Sequence, residues 1–350
     1  MEVIQKPRAF TPKRLALVAG IVALLGSCAQ APSSQQPTQD NASATTVVKV
    51  DGSSTVFPIT ESVAGEFQKT RGDIKVELAV SGTGGGFRRF CAGETDISDA
   101  SRPILTEEME ACRTAGVRYI ELPIGFDALT VVVHPQNDWA NDITLEELKK
   151  IWEPGAEGKI TSWKQIRDSW PDRPLKLFGP GRDSGTFDYF TEAVVGQPKA
   201  SRNDYTASED DTVLVEGVSK DPNAMGYFGY AYYESSQNRL KKVGIDSGSG
   251  PVLPSRESVK NAEYHPLARP LFIYVNSQSL SSKPEVKAFV EYYLNNAERW
   301  VNDTGYVPLP DKGYELALTH LQQGKEGTVF EGQSQLNLKI EDLLQKEAKF

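Results

Sequence analysis

Three times along this chain a strand-like run leads into a loop of glycine, serine and threonine, and the loop leads into a helix-like run. The loops fall at 51–57, 81–87 and 179–187. The apolar spacing around them alternates between a period of two and a period near four, the pattern of an α/β chain. Thr46–Val50 and Ile74–Val80 read as strands. Pro58 suits the first turn of a helix whose apolar face is Ile59, Val63 and Phe67. A short helix is expected around Phe87–Cys91, and Thr106 is expected to cap a helix opened by Glu107 and Glu108. Arg118–Leu122 and Ala128–Val133 read as two strands. Thr144 and Glu147 form a capping box for Leu145–Trp152. Further on, Leu175–Phe178 and Leu271–Val275 read as strands, and Glu285–Leu294 and Gly313–Leu321 as helices.

Each loop places small residues at a helix N-terminus, where the first N–H groups lack partners and the helix dipole leaves partial positive charge. Serine and threonine add hydroxyl donors, and glycine lets the backbone approach closely. One such loop is usually a cap or a tight turn. Three in one chain point to a site for an oxyanion, with Arg182 as a cationic fork.

Other anion chemistries are excluded by their motifs. There is no GxxxxGK[ST], so the chain is not its own ATPase. Gly82-Thr83-Gly84 has Phe87 where a dinucleotide fingerprint needs its third glycine. Asp183-Ser184-Gly185 and Asp303-Thr304-Gly305 match the aspartic-protease triplet, but Gly181-Arg182 and Asn302 precede them where apolar strand residues belong. A G-x-S-x-G pentapeptide is absent. His134, His265 and His320 are scattered without ligand spacing, so neither a metal nor a cofactor is expected.

At the N-terminus Lys6, Arg8, Lys13 and Arg14 precede an apolar run from Leu15 to Leu25, then Gly26, Ser27 and Cys28. This is the layout of a secretory signal, too short to span a bilayer comfortably. Leu25-Gly26-Ser27-Cys28 resembles a bacterial lipobox, which would make Cys28 the lipidated first residue of the exported protein. Residues 29–46 hold nothing large to bury and read as a flexible tether. Taking four cations and Glu2 away with residues 1–27 lowers the net charge from −9 to −12, which argues against a nucleic-acid partner. Cys91 and Cys112 remain, and an even pair in an exported protein reads as a disulfide, two free buried thiols being the alternative.

Asp51-Gly-Ser-Ser-Thr-Val-Phe-Pro58, Ser81-Gly-Thr-Gly-Gly-Gly86, Asp96-Ile-Ser-Asp-Ala-Ser-Arg-Pro103 and Gly181-Arg-Asp-Ser-Gly-Thr-Phe187 resemble the signature loops of the phosphate-binding proteins of Pst-type importers. The likeness is nearest the cyanobacterial PstS/SphX branch. It extends through Phe90–Cys112 and Ala207–Tyr233 and covers essentially the whole exported chain.

The resemblance implies an α/β, two-domain periplasmic-binding-protein fold (type II) with two crossover strands forming a hinge. The crossings are expected near Pro123–Thr130 and Arg269–Val275, giving domain I from 47–125 plus 270–350 and domain II from 126–269. It further implies that Ser54, Thr55, Val56 (through its backbone), Thr83, Gly84, Arg182, Ser184, Gly185 and Thr186 bind phosphate. The implied function is capture of inorganic phosphate by a monomeric, periplasmic, membrane-anchored receptor that passes it to ABC permease subunits, without catalysis.

One stretch departs from the pattern. Many members carry Ser-Asp-Ala-Pro, whose aspartate accepts the proton of the anion and excludes sulfate. Here Ala100-Ser101-Arg102-Pro103 stands in its place. Ser101 is then a donor to the anion, Arg102 pairs either with the anion or with Asp99, and the proton acceptor is Asp99 or Asp183. A receptor for sulfate or molybdate, and a phosphate scavenger or sensor that docks no permease, are the alternative functions.

Overall fold

The computed structural model describes residues 46–350. The signal segment, Cys28 and the tether as far as residue 45 lie outside them. Among the described residues no helix is long and apolar enough to cross a membrane.

The first part of the chain alternates as the apolar spacing requires: β1 (Thr46–Gly52), α1 (Phe57–Thr70), β2 (Ile74–Val80), α2 (Gly82–Cys91), β3 (Ile97–Ala100), α3 (Thr106–Ala115) and β4 (Tyr119–Val133). Next come β5 (Asp142–Thr144), α4 (Leu145–Trp152), β6 (Lys176–Pro180), α5 (Gly185–Phe190), β7 (Thr206–Ser208), α6 (Asp211–Lys220), β8 (Ala224–Gly229) and α7 (Tyr230–Glu234). Short pieces β9 (Lys241–Lys242), β10 (Gly244–Asp246), β11 (Pro251–Val252) and α8 (Arg256–Lys260) precede β12 (Ala268–Asn276) and α9 (Ser277–Ser282). The chain ends with α10 (Pro284–Asp303), β13 (Val307–Pro308), α11 (Asp311–Gln323) and α12 (Ile340–Lys349).

One large sheet runs in the order β2-β1-β3-β12-β4-β8-β6-β7, with β9 and β13 also paired to β4. β1 lies parallel to β2 and β3, whereas β12 runs antiparallel to both β3 and β4. On the far side β8 is antiparallel to β4, and β6 is parallel to β7 and β8. The mixed α/β periplasmic-binding-protein fold expected from the sequence is the fold observed, and β4 and β12 run at the centre of its sheet.

The two strands expected at Arg118–Leu122 and Ala128–Val133 are one. β4 continues through Pro123, Gly125 and Asp127 with every residue buried. Proline has no N–H for a ladder, and the register shifts there: Leu271 pairs with Gly125 but Phe272 pairs with Pro123. The bulge lets the strand pass a residue that would otherwise end it. α2 begins at Gly82 rather than near Phe87, so the glycine-rich segment is helix and not loop. Thr106 is the first helical residue of α3 and Leu105 its cap, Glu108 accepting the Leu105 N–H at 2.9 Å. The Thr144–Glu147 capping box forms as expected. Cys91 and Cys112 are joined, tying the end of α2 to α3.

Candidate functional site

The carboxyl ends of β1, β3, β6 and β8 meet the N-termini of α1, α2 and α5. β1 lies between its chain neighbour β2 and β3, a point where strand order reverses and α/β sheets commonly open a ligand crevice. Hydroxyls from four chain segments gather there. Thr55 Oγ1 lies 3.1 Å from Thr186 Oγ1, and Thr83 Oγ1 lies 3.2 Å from Ser101 Oγ. Gly185 sits against the second pair, where an added Cβ would come within 2.5 Å of Thr83 Oγ1 and 2.7 Å of Ser101 Oγ. Only glycine permits that approach. Ser184 caps α5 by accepting the Thr186 N–H at 3.1 Å.

The cation in this cluster is Arg269, which the sequence analysis did not select. Its Nη2 donates to Thr186 Oγ1 at 2.8 Å, to Thr55 Oγ1 at 3.1 Å and to Asp127 Oδ2 at 2.9 Å. Asp127 and Arg269 are cross-strand partners on β4 and β12, and both side chains are fully shielded from solvent. Asp127 Oδ1 also accepts the Tyr230 N–H at 3.0 Å. Arg269 Nη1 is buried and has no partner among the described residues. Arg269 is the lone charge inside an apolar strand, and Asp127 is one of two acids in another, beside Glu121; that was the available signal. Neither strand alone reveals its partner, 142 residues away.

Ser54 stands one step aside. Its Oγ donates to Asp211 Oδ2 at 3.1 Å, and its carbonyl accepts from Tyr232 Oη at 2.8 Å. The Val56 N–H points to Ser53 Oγ at 3.4 Å, and the Gly84 N–H donates to the Asp183 carbonyl at 2.8 Å. Gly82, with φ of +76°, leaves room for that carbonyl, which its Cβ would meet at 2.4 Å.

Four expected site residues are placed elsewhere. Arg182 is exposed and its guanidinium turns to Asn203 and the Lys199 carbonyl. Arg102 is fully buried but bonds Asp188 through Nε and Glu108 through both Nη atoms, each at 2.8 Å, and not Asp99. Asp183 is held by Arg88 at 2.6 and 2.8 Å, and that ion pair keeps its carboxyl below the usual range. Asp99 is buried with Oδ1 unpartnered among the described residues, and burial pushes its carboxyl up to about 8. Side-chain direction decides all four, since adjacent residues on a strand or helix start point different ways.

The cluster can receive a small anion. It offers neutral hydroxyls, helix N-termini and one unpartnered guanidinium nitrogen, with the Arg269 charge balanced locally by Asp127.

The family model of the PBP superfamily domain matches residues 38–297. The chain is 52% identical over 303 residues to Protein SphX of Synechocystis sp., covering 87% of this chain and 90% of that one. It is 38% identical over 270 residues to the phosphate-binding protein PstS of Staphylococcus saprophyticus, covering 76% and 82%. Among solved structures it is similar to a putative phosphate ABC transporter substrate-binding protein with bound phosphate from Clostridium perfringens. That likeness has a TM-score of 0.63 and 26% identity, covering 75% of this chain and all of that one.

Proposed function

The chain belongs to the PBP superfamily and, within it, to the family of the SphX and PstS proteins; from that premise we propose that it is a receptor that binds inorganic phosphate and delivers it to an ABC importer. The observation that carries the proposal is the buried hydroxyl cluster around Arg269, which keeps one guanidinium nitrogen, Nη1, unpartnered. A tetrahedral oxyanion suits such donors, and a dry enclosure strengthens each bond. Thr55, Thr83, Ser101, Ser184, Gly185, Thr186 and Arg269 form the binding set. Ser54, Val56 and Gly84 support it through neighbouring contacts. Binding requires no catalytic group.

The proposed domain division, 47–125 plus 270–350 against 126–269, places the crossing strands at the Asp127–Arg269 pair. Thr55–Thr186, Ser54–Asp211, Arg88–Asp183, Arg102–Asp188 and Lys199–Glu107 then all bridge the two domains. Such bridges belong to a closed receptor, and ligand contacts made only on closure would drive the motion. Export as a monomer, with the anchor at Cys28, completes the proposal.

A receptor for sulfate or molybdate is the competing reading, since neither Asp99 nor Asp183 faces the cluster. Calorimetric titration of the protein with phosphate and then sulfate across a pH series from about 5 to about 9 decides between them. Tight phosphate binding without sulfate competition near neutral pH is expected. Binding of sulfate instead, or of neither anion, overturns the proposal.

A further inference from the structure

A peptide group that accepts a hydrogen bond at its carbonyl becomes a stronger donor at its N–H, because bonds in a chain polarise one another. The peptide is planar and trans, so fixing the direction of the carbonyl also fixes that of the N–H. Resting on the phosphate reading above, we infer that Tyr232 and Tyr306 are positioning residues for the anion. Their phenols hold two successive carbonyls of the first hydroxyl loop, and so aim and strengthen the Thr55 and Val56 N–H groups.

In the loop between β1 and α1, carbonyls and N–H groups are used unequally. The Ser53 carbonyl accepts the Phe57 N–H at 3.0 Å. The Ser54 carbonyl accepts from Tyr232 Oη at 2.8 Å, and the Thr55 carbonyl from Tyr306 Oη at 2.6 Å. Successive carbonyls are thus engaged, while the N–H groups of the same peptides stay open. Those of Ser54 and Thr55 have no hydrogen-bond partner among the described residues, and that of Val56 has Ser53 Oγ at 3.4 Å. The Thr55 hydroxyl already belongs to the cluster, through Thr186 and Arg269. These N–H groups stand at the start of α1, a helix of 14 residues, where open donors and the helix dipole favour an anion.

The two phenols come from different parts of the chain. Tyr306 is 1% exposed and lies in the same proposed domain as Thr55, just before β13. Tyr232 belongs to α7 in the other proposed domain, so its bond to Ser54 bridges the two. Gly229 leaves room for the loop: a Cβ there would stand 3.1 Å from Thr55 Cγ2 and 3.5 Å from Tyr306 Oη. Burial pushes both phenols above their ordinary range, so each remains an O–H donor across neutral pH. A buried carbonyl needs a partner in any protein, and a bond that met only that need would act on stability alone. A polarising bond also alters how the neighbouring N–H meets the anion.

The test is calorimetric titration of the wild type, Tyr232→Phe, Tyr306→Phe and Tyr314→Phe with sodium phosphate, joined to NMR of the Thr55 and Val56 amides. Tyr314 is the control, a buried phenol that donates to the strand carbonyl of Ile124 at 3.0 Å. Tyr232→Phe and Tyr306→Phe are each expected to bind phosphate about three- to tenfold more weakly, the size of one neutral hydrogen bond. In the phosphate-bound protein the Thr55 amide proton is expected to move upfield in Tyr232→Phe, and the Val56 amide proton in Tyr306→Phe. Tyr314→Phe is expected to lower the urea midpoint and leave the affinity unchanged. Wild-type affinity or an unmoved amide proton in a loop variant overturns the role of that tyrosine. An equal loss of affinity in Tyr314→Phe overturns both roles, and each of these results leaves the receptor reading intact. Failure of the wild type to bind phosphate overturns the receptor reading and the inference together. Should Tyr306→Phe not fold, Tyr232→Phe decides alone, since Tyr232 is only partly buried.

Discussion

Arg102 and Arg269 are both fully shielded from solvent, yet their surroundings differ in kind. Arg102 faces two carboxylates, Asp188 and Glu108, and each of its three nitrogens bonds to the protein. Arg269 faces one carboxylate and two hydroxyls and keeps Nη1 without a partner. A buried charge whose nitrogens are all engaged fastens elements together, here the Ser101–Pro103 turn, α3 and α5. A buried charge with a donor in hand, ringed by neutral hydroxyls, is prepared for something that arrives from outside. The burial of an arginine therefore says little about its role, and the census of its hydrogen bonds says much.

That contrast breaks if the two arginines respond alike to removal. Arg269→Met is expected to have the largest effect on binding, with phosphate affinity falling beyond calorimetric detection. Stability is expected to fall by about 3–5 kcal/mol, because Asp127 is left buried without its cation. Arg102→Met is expected to lose a similar about 3–5 kcal/mol in urea denaturation, since Asp188 and Glu108 lose their common partner. Its folded fraction is nonetheless expected to bind phosphate within about tenfold of the wild type, a change of about 1.4 kcal/mol or less. Collapse of binding in a folded Arg102→Met protein would erase the distinction.

Smaller changes sharpen it. Thr186→Val keeps the shape and removes the hydroxyl between Thr55 and Arg269. Affinity is expected to weaken about five- to a hundred-fold, with little change in the unfolding midpoint. Arg182→Met is expected to do least, because an exposed side chain away from the cluster rarely matters by more than about 0.5 kcal/mol. A tenfold loss of phosphate affinity there would move the cation of the site from Arg269 to Arg182.

The sequence made visible what is locally determined. β2 matches its expected limits residue for residue, as does the capped helix α4, because period and capping chemistry act over a few neighbours. The hydroxyl loops were legible for the same reason, and Thr55, Thr83, Ser101, Gly185 and Thr186 do come together. Where distant parts decide, the local signals mislead. Three consecutive glycines argue against helix by propensity, but α2 must lie so close to β1 that a Cβ on Gly86 would meet Gly52 Cα at 2.6 Å. Pro123 signals a strand end, and a bulge against β12 carries the strand past it. Arg269 and Asp127 acquire meaning only from the register of two strands far apart in sequence. Arg182 looked like the cation because it adjoins the Ser184-Gly185-Thr186 triplet, yet its side chain leaves the cluster.

The most direct test of the central claim is a crystal structure of the protein with phosphate bound. The account predicts the anion between Thr55, Thr83, Ser101, Gly185 and Thr186, with one oxygen on Arg269 Nη1. Phosphate held instead against Arg182 and Lys199, with Arg269 Nη1 still unpartnered, would contradict it.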